Sequence, residues 1–122
     1  MILSSIRRIA ITSEGPTLEN AVDPRFGRAG GFVVVDLESM ATSYVDNDSS
    51  QVLAQGAGIQ AAENIANAGV QVLLTGQVGP KAWTALQATG VRVAQGIEPM
   101  TVGEAIARFK AGGFAFSDAP VR

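Results

Sequence analysis

The residues of this chain that are equipped for chemistry are hydrogen-bond donors and cations. Gln55-Gly56-Ala57-Gly58-Ile59-Gln60-Ala61-Ala62 reads as a glycine turn opening directly into an amphipathic helix. The first N–H groups of such a helix have no intrahelical partner and carry the positive end of the helix dipole. Glycine has no Cβ, so a bulky ligand can approach that backbone closely. The result is a general anion seat, to which the amides of Gln55 and Gln60 add neutral donors. The same residues also suit a tight turn with close helix–strand packing, and a GxG before a helix does not separate the two uses.

A second turn of this kind is Gly76-Gln77-Val78-Gly79-Pro80, followed by Lys81. It reads either as a plain strand end, turn and helix start, or as another donor turn. Lys81 puts a cation near a helix N-terminus, where the dipole disfavours one; such a local conflict is expected at an anion site, although a solvated lysine is equally compatible. Arg25-Phe26-Gly27-Arg28 can supply full positive charge. Phe26 should anchor that loop on the core, and arginines at i and i+3 converge if the segment is a helical turn. The competing use of Arg25 is a surface ion pair with Asp23. The expectation is that these three segments meet at one end of a sheet and hold something anionic. The candidate binding residues are therefore Arg25, Phe26, Gly27, Arg28, Gly56, Ala57, Gly58, Gln60, Gly76, Gly79 and Lys81.

Composition excludes much else. Among 122 residues there is no cysteine and no histidine. Thiolate and imidazole, the usual ligands of zinc, copper and iron, are absent, as are a Cys nucleophile and a Ser–His–Asp triad. No catalytic or metal-ligating residue is assigned, and the reading is that of a non-enzyme. Asp36, Asp46 and Asp48 are scattered along a hairpin and do not make the cluster that a two-metal site requires. Met40 and Met100 read as gap fillers, and Trp83 as core. A net charge of −2 gives no electrostatic case for nucleic acid or for an anionic membrane. The apolar run after Arg7 and Arg8 is short of the roughly 7–15 residues of a signal peptide, so a cytoplasmic protein is expected. The length fits one domain over residues 1–122, with a core at about 6–112.

The elements that must position these residues follow from periodicity. Residues 6–12 and 32–37 read as strands, the second apolar throughout and so buried on both faces. Residues 41–46 alternate as an antiparallel partner. A helix is expected from about Gly58 to Ala68, with Ile59, Ala62, Ile65 and Ala66 as its apolar stripe and Gly69 at its end. Residues 70–74 form a short strand, Pro80 opens a second helix, and residues 91–94 form the last strand. Thr101 and Glu104 fit a capping box for a third helix that ends at Gly112-Gly113. The tail from Phe114 has no usable period. The order β, β, β, α, β, α, β, α implies an α/β fold: a mixed sheet of about five strands flanked by about three helices. Ligands of such sheets sit beyond the carboxyl ends of the parallel strands. On which rim the Gly56–Gly58 turn lies is left open.

Four segments in this order and spacing, Arg25-Phe26-Gly27-Arg28-Ala29, Gly56 to Ala62, Gly76 to Ala82 and Thr101-Val102-Gly103-Glu104-Ala105-Ile106, resemble the dinitrogenase iron–molybdenum cofactor-binding family over Ile9 to Gly112. The resemblance implies a ribonuclease-H-like fold without nuclease activity. It also implies a role in carrying or assembling metal–sulfur clusters. Many members have a histidine just before the Phe-Gly-Arg segment, where this chain has Arg25. Having no cysteine or histidine, the chain looks most similar to the branch that holds a molybdenum–copper sulfide cluster non-covalently, and the permanent cation in place of an imidazole favours electrostatic capture of an anionic thiometallate. Its alternative is an interaction module, for delivering a cofactor precursor to a protein partner or for cell division.

Overall fold

The computed structural model describes residues 6–47 and 56–118. Five strands, β1 (Arg8–Ser13), β2 (Gly31–Asp36), β3 (Thr42–Asp46), β4 (Val72–Leu74) and β5 (Arg92–Ala94), form one sheet in the order β3-β2-β1-β4-β5. Three helices, α1 (Ala57–Asn67), α2 (Pro80–Ala88) and α3 (Val102–Lys110), complete the α/β architecture. β1 pairs antiparallel with β2, and β2 antiparallel with β3, so β3 runs parallel to β1. β4 and β5 extend the sheet in parallel from β1. The carboxyl ends of β1, β3, β4 and β5 therefore share one rim. This resolves the rim of the Gly56–Gly58 turn: α1 follows β3, and its start lies on the same side as the start of α2.

The apolar runs of β1 and β2 are explained by burial on both faces. Ala10, Phe32, Val34, Leu73 and Val93 pack with Ala61, Ala62 and Ile65 of α1 and with Ala82 and Leu86 of α2. The alternate residues Ile9, Ile11, Val33, Val35, Val72 and Leu74 pack with Val102, Ala105, Ile106 and Phe109 of α3. The period of two sends successive side chains to opposite layers.

All three helices end in the same way. After α1, the Gly69 N–H donates to Ala66 O at 3.0 Å and the Val70 N–H to Ile65 O at 3.2 Å, with Gly69 at φ 78°. This Schellman motif recurs at Gly90-Val91 and Gly112-Gly113. It accounts for Val70 lying outside β4, which starts two residues later than its apolar run suggests.

The segment 14–30 is pinned, as Val22 and Phe26 imply, by isolated bridges Ser13–Val22, Ala21–Thr101 and Arg25–Gln77. The tail that lacked periodicity also has a place. The Ser117 N–H donates to Val93 O at 2.7 Å, and Phe116 lies under the Arg92 guanidinium at 3.9 Å.

Candidate anion-binding cleft

Among the described residues, the starts of α1 and α2 carry no acid in their first turns. At α1 the N-cap is Gly56, at φ 79°, where no side chain caps the helix and no acid stands in the first turn. At α2 the N-cap is Gly79, followed by Pro80 at N1, again with no side-chain cap and no acid. A Cβ on Gly58 would fall 2.6 Å from the Ala82 Cβ. Glycine at that position thus lets the first turns of the two helices lie side by side.

The third wall is the turn over Phe26–Ala29, closed by the Ala29 N–H on Phe26 O at 3.4 Å. Phe26 is buried, its ring 5.6 Å from that of Phe32, and anchors the turn. A Cβ on Gly27 would stand 2.8 Å from the Gly58 nitrogen, so this backbone rests directly on the start of α1. The three segments enclose a cleft of about 480 Å³ lined by Gly27, Arg28, Gly56, Ala57, Gly58, Ile59, Gly79, Pro80, Lys81 and Ala82. Its charged lining residues, Arg28 and Lys81, are both exposed cations. Two helix N-termini, the positive ends of their dipoles, and two cations thus border one cleft in a chain of net charge −2.

The cleft brings together Gly27, Arg28, Gly56, Ala57, Gly58, Gly79 and Lys81 from the sequence candidates. The other four stand behind it. Arg25 pairs with Asp23 (Nε to Oδ1 3.3 Å, Nη2 to Oδ2 3.4 Å), an exposed guanidinium on a carboxylate only 3% exposed. The two arginines do not converge, because Arg25 sits in a bridge to Gln77 and the turn begins after it. Phe26 is core. Gln60 donates from Nε2 to Asn64 Oδ1 at 3.1 Å. Gly76 allows a close approach of two loops, since a Cβ there would be 2.4 Å from Pro24 O. Gln55 and Asp48 lie outside the described residues.

Ile59, Pro80 and Ala82, which glycine turns and cations do not mark, also line the cleft. Ile59 was expected in the buried stripe of α1; Ala57, Ala61, Ala62 and Ile65 fill that face instead, and Ile59 is 40% exposed on the cleft. The signal was available: a large apolar residue occupies N3, a position where the dipole favours an acid. Trp83 packs against the core on the α1–α2 side. The depressed carboxylates lie elsewhere. Asp36 is lowered first by the Ser39 N–H, and Glu104 by the Thr101 N–H. Among the described residues no three His, Cys, Asp or Glu side chains group as metal ligands. Nor is any helix there long and apolar enough to cross a membrane.

The family model for the dinitrogenase iron-molybdenum cofactor matches residues 6–112. Among solved structures, the apo form of the orange protein from Desulfovibrio gigas is 55% identical, covering 96% of this chain and 98% of that one at a TM-score of 0.94. A candidate NifB protein from Thermotoga, assigned to the DUF35 family, is 34% identical over 96% of this chain and 98% of its own, with a TM-score of 0.84. A Methanocaldococcus jannaschii protein described as uncharacterized is 29% identical over 80 residues, 64% of this chain and 68% of that protein.

Proposed function

Because this chain belongs to the dinitrogenase iron-molybdenum cofactor family, we propose that it is a non-enzymatic carrier or assembly scaffold for an anionic metal–sulfur cluster, held without covalent attachment between α1 and α2. The cargo we assign is a molybdenum–copper sulfide, as the sequence resemblance implies, to be passed to a protein partner in the cytoplasm.

The observation that carries this reading is the make-up of the cleft: two uncapped helix starts, two cations and an exposed isoleucine. The whole chain has no cysteine or histidine with which to ligate a metal. A cluster that arrives with its own sulfide ligands needs neither. It needs N–H donors and positive charge, and its large, weakly hydrated sulfides lose little against an apolar wall. In this reading the backbone of Gly56, Ala57, Gly58 and Gly79 donates, and Arg28 and Lys81 neutralise charge. Ile59, Pro80 and Ala82 form the wall. Phe26, Gly27 and Gly76 hold the segments at their spacing, and Arg25 and Gln60 act from behind the cleft.

The test is reconstitution. Apo protein mixed with tetrathiomolybdate and copper(I) should retain a visible chromophore through desalting, and Arg28→Ala combined with Lys81→Ala should release it. A wild-type chromophore that washes off, or one that survives in the double variant undiminished, would sink the assignment.

A further inference from the structure

Asn47, at the end of β3, is fully buried, and it reaches the cleft wall from behind. Its Nδ2 donates to Gly27 O at 3.1 Å and to Ala29 O at 3.0 Å, the carbonyls immediately before and after Arg28. Its own N–H donates to Gly30 O at 3.1 Å. Its Oδ1 accepts from Asn64 Nδ2 at 3.3 Å, and Asn64 Oδ1 accepts from Gln60 Nε2 at 3.1 Å. Shape alone does not tell the two ends of an amide apart, but two facing carbonyls can be met only by an NH₂ group. That requirement at Asn47 fixes the direction of the whole amide chain back to α1. The turn that carries Arg28 is thus tied to the first two turns of α1, and Gly27 lies on the Gly58 nitrogen.

We propose that Asn47 is a positioning residue for anion binding. By gripping the carbonyls on both sides of Arg28, braced by Asn64 and Gln60, it holds that guanidinium's backbone over the start of α1. The proposal rests on the reading of the cleft as an anion seat. Its physical basis is preorganisation: a cation whose backbone is already fixed loses less freedom when the ligand arrives. A carboxylate in place of the amide would set an acceptor against two carbonyl oxygens, so Asn47→Asp should push the turn away from α1.

The test compares wild type, Asn47→Asp, Arg28→Ala and the double variant. Each is titrated with tetrathiomolybdate and copper(I), and the chromophore retained after desalting is measured. Asn47→Asp should weaken retention by about tenfold or more, the range for groups that orient a ligand-holding residue. Amide NMR resonances of Gly27, Arg28 and Gly58 should shift in the apo variant. In the Arg28→Ala background the same change should cost nothing further, because Asn47 acts through Arg28. An equal further loss there would mean that Asn47 acts on the fold alone, and would overturn the proposal. If Asn47→Asp does not fold, Asn64→Ala removes the brace while leaving the two carbonyl bonds of Asn47. A loss that vanishes in the Arg28→Ala background supports the proposal, and undiminished retention overturns it. Full retention with Arg28→Ala alone overturns this proposal, and undiminished retention with Arg28→Ala combined with Lys81→Ala sinks the cleft reading as well. Loss with Arg28→Ala but full retention with Asn47→Asp overturns the role of Asn47 alone.

Discussion

At α3 the N-cap, N2 and N3 positions hold Thr101, Gly103 and Glu104; at α1 the same positions hold Gly56, Gly58 and Ile59. Every early donor of α3 has an acceptor within the chain. The Val102 N–H donates to Asn20 O at 2.9 Å, the Gly103 N–H to Leu18 O at 2.9 Å and the Glu104 N–H to Thr101 Oγ1 at 3.1 Å. Glu104 Oε1 accepts in turn from the Thr101 N–H at 2.8 Å. At α1 and α2 no side chain caps the helix and no acid faces the dipole. The contrast is confined to the starts, since all three helices end in the same Schellman geometry. One helix uses its positive end to secure the fold; the other two turn theirs toward the cleft. Among the described residues neither of these exposed starts has a side-chain cap, which leaves their first N–H groups to water or to a ligand from outside.

The sharpest way to break this contrast is to give α1 the acid that α3 has. Ile59→Glu places a carboxylate at N3, and the dipole interaction should stabilise the apo protein by about 0.3–1 kcal/mol. The same carboxylate repels an incoming anion and removes the apolar wall, so chromophore retention should fall by more than tenfold. Denaturant unfolding and desalting of one preparation would check both effects. Retention that survives would mean that the α1 start does not hold the cargo.

The converse change leaves the cleft alone. Thr101→Ala removes the side-chain acceptor at the start of α3 and should cost about 1 kcal/mol of stability, measured by urea unfolding, with retention unchanged. A smaller effect should appear with pH. Hydrogen bonds from the Thr101 N–H and then from its side chain hold Glu104 below its ordinary value of 4.5. A carboxyl depressed on folding adds stability that is present above its unfolded value and is lost as pH falls through the folded one. The stability gap between wild type and Glu104→Gln should therefore narrow as a urea-unfolding series descends below pH 4.5. A gap that stays constant would show that the carboxylate's charge plays no part in the cap.

Much of the fold was legible because its signals are local. Periods of 2 and 3.6, Pro80 at a helix start, glycine at three helix ends and the Thr101–Glu104 pair each depend on residues a few positions apart. The site was legible only in part. Glycine turns and cations marked Gly56–Gly58, Gly79, Lys81 and Arg28, but sequence spacing did not part Arg25 from Arg28. That separation comes from a bridge to Gln77 and a pairing with the buried Asp23, neither of which a helical-turn reading of the loop contains. The exposure of Ile59 has a related origin. Which side of a helix start is buried depends on what packs there, and alanines of α1 won the core face because α2 lies so close.

The sequence alone determined that this chain offers a metal no sulfur or imidazole, that its positive charge is local, and that its strands and helices alternate as an α/β sheet. The tertiary structure alone decided that two helix starts and one arginine turn open on the same cleft. Three contacts between residues far apart in the chain fix that outcome. β2 returns β3 parallel to β1, Gly58 admits Ala82, and Asn47 clamps the carbonyls around Arg28. Composition and periodicity constrain what each segment can be; only packing decides which segments meet.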